Sequence, residues 1–142
     1  MDVLAATSLD MLPDFFKEQA DCLLTGSRPF AAYMRAKFKE KGVLQQNVFL
    51  AADISENYGY KLISEEKHTV QRDVIIRICL AAQFSLDETQ VALILYGMAP
   101  LYIRIPRDVV FLSAINHRLY DVHQVNDILQ CCGQFPLFSK SG

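Results

Sequence analysis

The segment QQNVFLAADISENYGYKLIS, residues 45–64, decides how this chain folds. Apolar side chains recur three or four residues apart on both sides of Asp53 and Ile54. This spacing predicts two short helices, 45–52 and 55–64, joined by a very tight turn. Ser55 is a suitable N-cap for the second helix, because its hydroxyl can accept a hydrogen bond from the first helical turn. Two short helices in this order form a helix-turn-helix unit.

The rest of the chain shows the same helical spacing and no sustained strand alternation, so we predict an all-α fold. We see no internal repeat in the sequence. Gly42 is a suitable C-terminal cap, and Ser85 to Glu88 form a capping box that opens another helix. The further predicted helices cover 13–24, 29–41, 70–83, a segment after the capping box that ends near 96, 106–118 and 122–132. The expected organisation is an N-terminal helical segment (1–28), a helix-turn-helix domain (29–98) and a C-terminal two-helix extension packed on it (99–142).

The net charge and the hydropathy of the chain limit the classes of function that it can have. The chain has 142 residues, of which 51% are hydrophobic, and a formal net charge of −2. Proteins that bind nucleic acids are often basic, so any DNA-binding role must rest on local charge. No apolar run approaches the roughly 18–20 residues that cross a bilayer, and the N-terminus lacks the basic start of a secretory signal. We therefore expect a cytoplasmic protein that does not enter a membrane.

Motifs of catalysis and metal binding are absent from the sequence. The cysteines and histidines lack metal-ligand spacing, and there is no Gly-rich phosphate loop, nucleophile elbow or His-Glu metal motif. The cysteines are expected to be small buried apolar residues in a reducing compartment. The sequence therefore predicts neither an enzyme nor a protein with a cofactor.

The stretch from Phe30 to Gly97 resembles the lambda-repressor-like, Xre-type helix-turn-helix family. The positions that carry this resemblance are Val48-Phe49, Asp53 at the turn, Ile54-Ser55, Leu62 and the segment ICLAAQFSLDET (78–89). The chain is most similar to a Firmicute-like branch with a C-terminal helical extension. The likeness to this branch rests on YGY (58–60), Arg72-Asp73 and PLYIRIPRD (100–108).

The resemblance implies a transcriptional regulator that binds double-stranded DNA sequence-specifically, as a homodimer, with helix 55–64 as the recognition helix. It assigns Gln45, Lys67 and Arg72 to backbone phosphates. It places Ser55, Glu56, Asn57 and Lys61 in the major groove, with Tyr60 beside them. Glu65 and Glu66 stand where the family has glycine and commonly lysine, and Thr69 replaces a proline.

An alternative reading stays open, because the same fold can serve without DNA. The chain could be a non-catalytic protein-interaction module that holds a partner through helices within 70–132. Two packing predictions are independent of this choice. Phe49 is larger and Gly59 smaller than the family pattern, so the Phe49 ring should lie over the Gly59 backbone. Helices 106–118 and 122–132 should cover Leu80 and also supply a surface for self-association.

Overall fold

The computed structural model of the protein describes residues 28–138, and within this range the chain forms helices and no strands. The predicted helix 13–24 lies outside the described residues. The helices are α1 (Pro29–Lys41), α2 (Gln45–Ala51), α3 (Glu56–Ile63), α4 (Arg72–Ala81), α5 (Leu86–Leu95), α6 (Pro106–Asn116) and α7 (Val122–Cys131). The all-α prediction is therefore confirmed.

Local sequence signals set the helix ends. Pro29 occupies the first turn of α1, where its missing N–H is not needed, and Gly42 closes the helix with φ 68°. The Ser55 hydroxyl caps α3. Ser85 and Glu88 form the complete capping box at the start of α5. The predicted caps are confirmed, and the predicted ends of α4, α6 and α7 are off by one or two residues.

The first helix lies across the hairpin that α4 and α5 form. The Phe30 ring meets the Tyr96 ring edge-on, with 4.6 Å between centroids, at the C-terminal end of α5. The Phe38 ring lies 6.0 Å from the Phe84 ring, in the turn between α4 and α5. α1 also packs against α3, and α2 packs against α4, so both short helices are held on the other helices of the core.

The contact between α2 and α3 confirms the prediction that the Phe49 ring lies over the Gly59 backbone. Phe49 is completely buried. A Cβ placed on Gly59 would lie only 2.5 Å from Phe49 ring carbons, closer than non-bonded carbon atoms can approach. The Phe49 ring therefore occupies the volume that a side chain at position 59 would need.

Leu80 is covered, as expected. Its side chain is 1% exposed, and α7 packs directly on α4. Phe111 of α6 and Val125 and Leu129 of α7 belong to the same apolar core as the first five helices. The C-terminal helices thus extend one core, and their role in self-association stays a prediction.

Residues 72–137 contain two structurally equivalent helical hairpins, α4–α5 and α6–α7. This structural repeat corrects our expectation that the chain has no internal repeat. Residues 72–84 correspond to 107–119, and 85–101 to 121–137, with Tyr120 inserted between the two blocks. Only seven of the 30 aligned positions are identical, which hides the repeat in the sequence. The left-handed residues correspond (Gln83 with Arg118, Gly97 with Gly133). The N–H of Leu101 is bonded to the Gln90 side chain, and that of Leu137 to the equivalent Asn126 side chain.

Two reciprocal ion pairs join the hairpin α4–α5 to the hairpin α6–α7. The Arg72 guanidinium makes a bidentate contact with the Asp108 carboxylate, with N–O distances of 2.8 and 2.9 Å. The Arg107 guanidinium makes the same contact with the Asp73 carboxylate, with both N–O distances 2.7 Å. Each arginine also holds the loop that follows its own hairpin. Arg72 donates to the carbonyls of residues 99 and 100, and Arg107 to those of 135 and 136. We call these four side chains the Arg-Asp clasp.

Candidate nucleic-acid interface

The outer face of α3 is polar and open. Ser55, Glu56 and Asn57 are exposed at its start, and Tyr60 one turn further is 42% exposed. The inner face consists of Gly59, Leu62 and Ile63, all buried. Three of the residues to which the resemblance assigns base contacts or a place beside them, Glu56, Asn57 and Tyr60, are therefore exposed together on a short helix, and Ser55 is exposed at its N-cap.

Tyr60 is held in place by the same aromatic ring that excludes a side chain at position 59. Its ring meets Phe49 edge-on at 5.1 Å between centroids and an interplanar angle of 84°. Edge-to-face aromatic pairs add about 0.5–1.5 kcal/mol beyond the area that they bury. Tyr60 is therefore packed against α2 at the edge of the outer face.

The other residues to which the resemblance assigns DNA contacts differ in how exposed their side chains are. Gln45 is the first residue of α2 and is half-buried. Lys61, in the last turn of α3, is half-buried, whereas Lys67 is exposed after the helix. The exposed part of α2 also carries Leu50, which is 80% exposed.

The turn between α2 and α3 is tied to α4 by a residue that sequence reasoning missed. Arg77 of α4 donates to the carbonyl of Ala52 at 3.0 Å and to that of Asp53 at 2.7 Å, which satisfies the C-terminal end of α2. Burial lowers the pKa of the Arg77 guanidinium, although the Asp53 carboxylate opposes this change. Asp53 itself adopts the left-handed conformation (φ 58°) that glycine usually supplies. An arginine within the otherwise apolar run 74–82 was the available signal.

The guanidinium of Arg72, which the resemblance assigns to a phosphate, is engaged within the protein. It is occupied by Asp108 and by the carbonyls of Ala99 and Pro100. The Asp108 side chain is 1% exposed, so moving Arg72 toward DNA would leave a buried carboxylate without its counter-charge. We therefore leave Arg72 out of the interface.

Several other basic side chains also have internal partners. Lys41 lies 2.7 Å from Glu88, and Lys37 lies 2.9 Å from Glu40 and 3.4 Å from Glu88. The hydrogen bond to Glu40 raises the pKa of Lys37, and burial opposes this effect. Arg28 donates to the Ser64 carbonyl at 2.9 Å. The basic end of α1 therefore offers phosphates fewer free charges than its sequence indicates.

The acidic stretch after α3 has a structural explanation in Glu65. Its carboxylate accepts a hydrogen bond from the Ala31 N–H at 3.2 Å and so caps the N-terminus of α1, whose own N-cap residue, Arg28, offers no side-chain oxygen. A negative charge there is favourable, because the helix dipole places partial positive charge at that end. Glu65 has φ 61°, so it serves both as the left-handed residue after α3 and as the cap of α1. Glu66 is exposed.

The part of the chain that the structure describes also lacks a metal-binding cluster and a membrane-spanning helix. Among residues 28–138, no group of three or more histidine, cysteine or acidic side chains could hold a metal ion. None of the helices in this range is long and apolar enough to cross a membrane. Comparisons with protein-family models, with curated proteins and with solved structures found no match for this chain.

Proposed function

We propose that this protein is a sequence-specific, double-stranded DNA-binding transcriptional regulator that places α3 in the major groove. The observation that carries the proposal is the outer face of α3, where Ser55, Glu56, Asn57 and Tyr60 are exposed together on a helix whose opposite face is buried. A helix of this kind, set against a short preceding helix, suits the width of the major groove.

The side chains on this face have the chemistry of base recognition. Asn57 can accept from and donate to the edge of adenine through its amide, and Glu56 can accept from the cytosine amino group. Such paired contacts discriminate between bases by about 1–3 kcal/mol each. Gln45 and Lys67 would contact backbone phosphates, which fixes the protein on the duplex without reading sequence. A homodimer would bind a two-fold site.

Affinity selection from random duplexes, followed by titration of the selected duplex, tests the proposal. We expect Asn57→Ala to weaken binding to the selected duplex by about tenfold or more, as the loss of one paired base contact implies, and to leave binding to random duplexes unchanged. Asn116→Ala is a matched control, because Asn116 is exposed at the end of α6. The proposal fails if no duplex binds even at low salt.

A second function is favoured by the scarcity of free positive charge. Lys37, Lys41, Arg28 and Arg72 all have internal partners, whereas phosphate neutralisation supplies most of non-specific DNA affinity. The alternative is a protein-interaction module that keeps the helix-turn-helix arrangement and holds a partner through helices within 70–132. Failure of every duplex to bind in the titration above would select this alternative.

A further inference from the structure

The structural repeat allows each surface of the α6–α7 hairpin to be compared with its equivalent on the α4–α5 hairpin. One groove on the second hairpin, about 300 Å³ in volume, is lined by eight residues from α6, α7 and the turn between them. Val109 and Ile128 in this lining are 40% and 39% exposed, and Ser113, His117 and Cys132 are also exposed. The groove is therefore open to solvent on the described part of the chain.

All eight equivalents on the first hairpin are buried. Ser113 corresponds to Ile78, His117 to Ala82, Ile128 to Ala92 and Cys132 to Tyr96, and each of these four partners is at most 5% exposed. The same holds for the partners of the other four lining residues, which are Val74, Ile75, Cys79 and Phe84. The groove on the second hairpin thus occupies the position of a core surface on the first.

On the first hairpin, α2 packs on α4, and α1 supplies the cover over α5 and the turn between α4 and α5. Phe30 contacts Tyr96 at one end of this surface and Phe38 contacts Phe84 at the other. The equivalents of Tyr96 and Phe84 are Cys132 and Leu119, and both line the groove. The covering side chains of α1 are Phe30, Met34 and Phe38, spaced four residues apart and all buried. The occupant that fits the second groove is therefore a helix with apolar side chains at this spacing.

One segment of the chain outside the described residues has this pattern. The sequence predicts an amphipathic helix at 13–24, and Phe16, Ala20 and Leu24 repeat the four-residue spacing of the α1 stripe. We propose that residues 13–24 occupy the groove on the α6–α7 hairpin, as α1 occupies the equivalent surface on the α4–α5 hairpin. This proposal is independent of DNA binding.

Two adjacent cysteines provide the test. Both are exposed, which corrects our expectation that the cysteines are buried, but only Cys132 lines the groove. In the full-length chain with Cys22→Ser, the further substitution Cys131→Ser leaves Cys132 as the exposed thiol of this pair, and Cys132→Ser leaves Cys131. The rate of modification by a maleimide then reports each position, since Cys79 is buried.

We expect Cys132 to react several-fold more slowly than Cys131, because the docked segment covers it. Phe16→Glu should bring the rate of Cys132 up to that of Cys131. Cys22→Glu, which adds the same charge on the opposite side of the predicted helix, should leave Cys132 protected. Should Phe16→Glu reduce the yield of folded protein, Ser113→Arg supplies the second variant. It fills the groove from an exposed position and should make residues 1–27 more susceptible to protease.

The proposal is overturned if Cys132 in the Cys22→Ser, Cys131→Ser chain and Cys131 in the Cys22→Ser, Cys132→Ser chain react equally fast while Phe16 is intact, or if Cys132 stays protected in the Phe16→Glu chain. In the second case another partner covers the groove. Protection that Phe16→Glu removes and that grows with protein concentration supports the proposal. It also shows that the segment comes from a second copy of the chain.

Discussion

Gly59 shows how one missing side chain determines the geometry of an interface. Even a methyl group at this position would meet the Phe49 ring at 2.5 Å. Alanine normally favours a helix by about 1 kcal/mol relative to glycine. We nevertheless expect Gly59→Ala to be destabilising and Gly59→Leu to lower the free energy of unfolding by roughly 1–3 kcal/mol, because both overpack the core.

Urea denaturation followed by circular dichroism measures this effect. Phe49→Leu with Gly59→Ala should be more stable than the sum of the single changes predicts, since the smaller residue makes room for the methyl group. An unchanged unfolding midpoint for Gly59→Leu would contradict the observed packing.

Glu65 combines two roles that can be separated by substitution. Glu65→Ala removes the cap of α1 and keeps a Cβ in the left-handed conformation, so we expect a loss of about 0.5–2 kcal/mol, the usual value of an N-terminal cap. Glu65→Gly removes the same cap but adopts φ 61° without steric strain, so it should be the more stable variant. Comparing the two in urea, with the exposed Glu66→Ala as control, measures both contributions. Equal stability of all three would show that neither role matters.

The Arg-Asp clasp couples two helical hairpins, and its two halves differ in burial. The Asp108 side chain is 1% exposed and also accepts from the Tyr102 N–H, whereas the Asp73 side chain is 28% exposed. Arg72→Met should therefore cost about 3–5 kcal/mol, the usual result of leaving a buried charge unpaired. Arg107→Met should cost less, because water can reach Asp73.

The double substitution Arg72→Met with Asp108→Asn is the informative control. It removes the unpaired charge while keeping an acceptor for the Tyr102 N–H, so much of the lost stability should return. Equal losses for Arg72→Met and Arg107→Met in urea denaturation would contradict the inequality of burial.

Glu88 links the ends of α1 and α5, and its charge makes this link depend on pH. Burial raises the pKa of Glu88, but hydrogen bonds from Lys41 and the Ser85 N–H outweigh burial, so the pKa lies below its ordinary value. A carboxylate with a lowered pKa in the folded state stabilises the protein above its unfolded pKa. This stabilisation is lost as the pH falls through the folded pKa.

Glu88→Gln keeps a capping-box side chain and removes only the charge. Its deficit in unfolding free energy relative to the unsubstituted protein should be constant above about pH 5 and should shrink below about pH 4.5, the ordinary glutamate value. Urea denaturation across this range, with the exposed Glu66→Gln as control, checks the sign. A deficit that grows with acidity would contradict it.

The whole molecule shows which features a single sequence can predict. Helices and caps were predictable because they depend on spacing and on residues such as Ser55 and Gly42. The burial of Phe49 against Gly59 was predictable because a large side chain at position 49 complements the missing side chain at position 59. The roles of Arg72, Arg77 and Glu65 were not, since each depends on a partner at least 24 residues away in sequence.

The balance of charge over the molecule determines how DNA affinity should respond to salt. On α1, on α3 and in the segment after α3, the exposed or half-exposed bases that remain for phosphates are Arg35, Lys39, Lys61 and Lys67. Because log affinity falls with log salt by about 0.9 per neutralised phosphate, we expect a slope of roughly −2 to −4 per protomer. Glu66→Lys should raise the affinity for random duplexes. Titration from low to moderate salt checks both, and a slope as steep as −10 would contradict the charge pattern.

The Arg-Asp clasp has the symmetry of a contact between two copies of one protein. The arginine of each hairpin contacts the aspartate of the other hairpin, as equivalent residues do across a two-fold interface. Here both copies lie in one polypeptide, and the exposed residues 102–105 join them. This is the architecture that duplication and fusion of an ancestral hairpin would leave. Covalent continuity through the join is then dispensable, so fragments produced by cleavage between Ile103 and Arg104 should remain associated and should reassemble after separation.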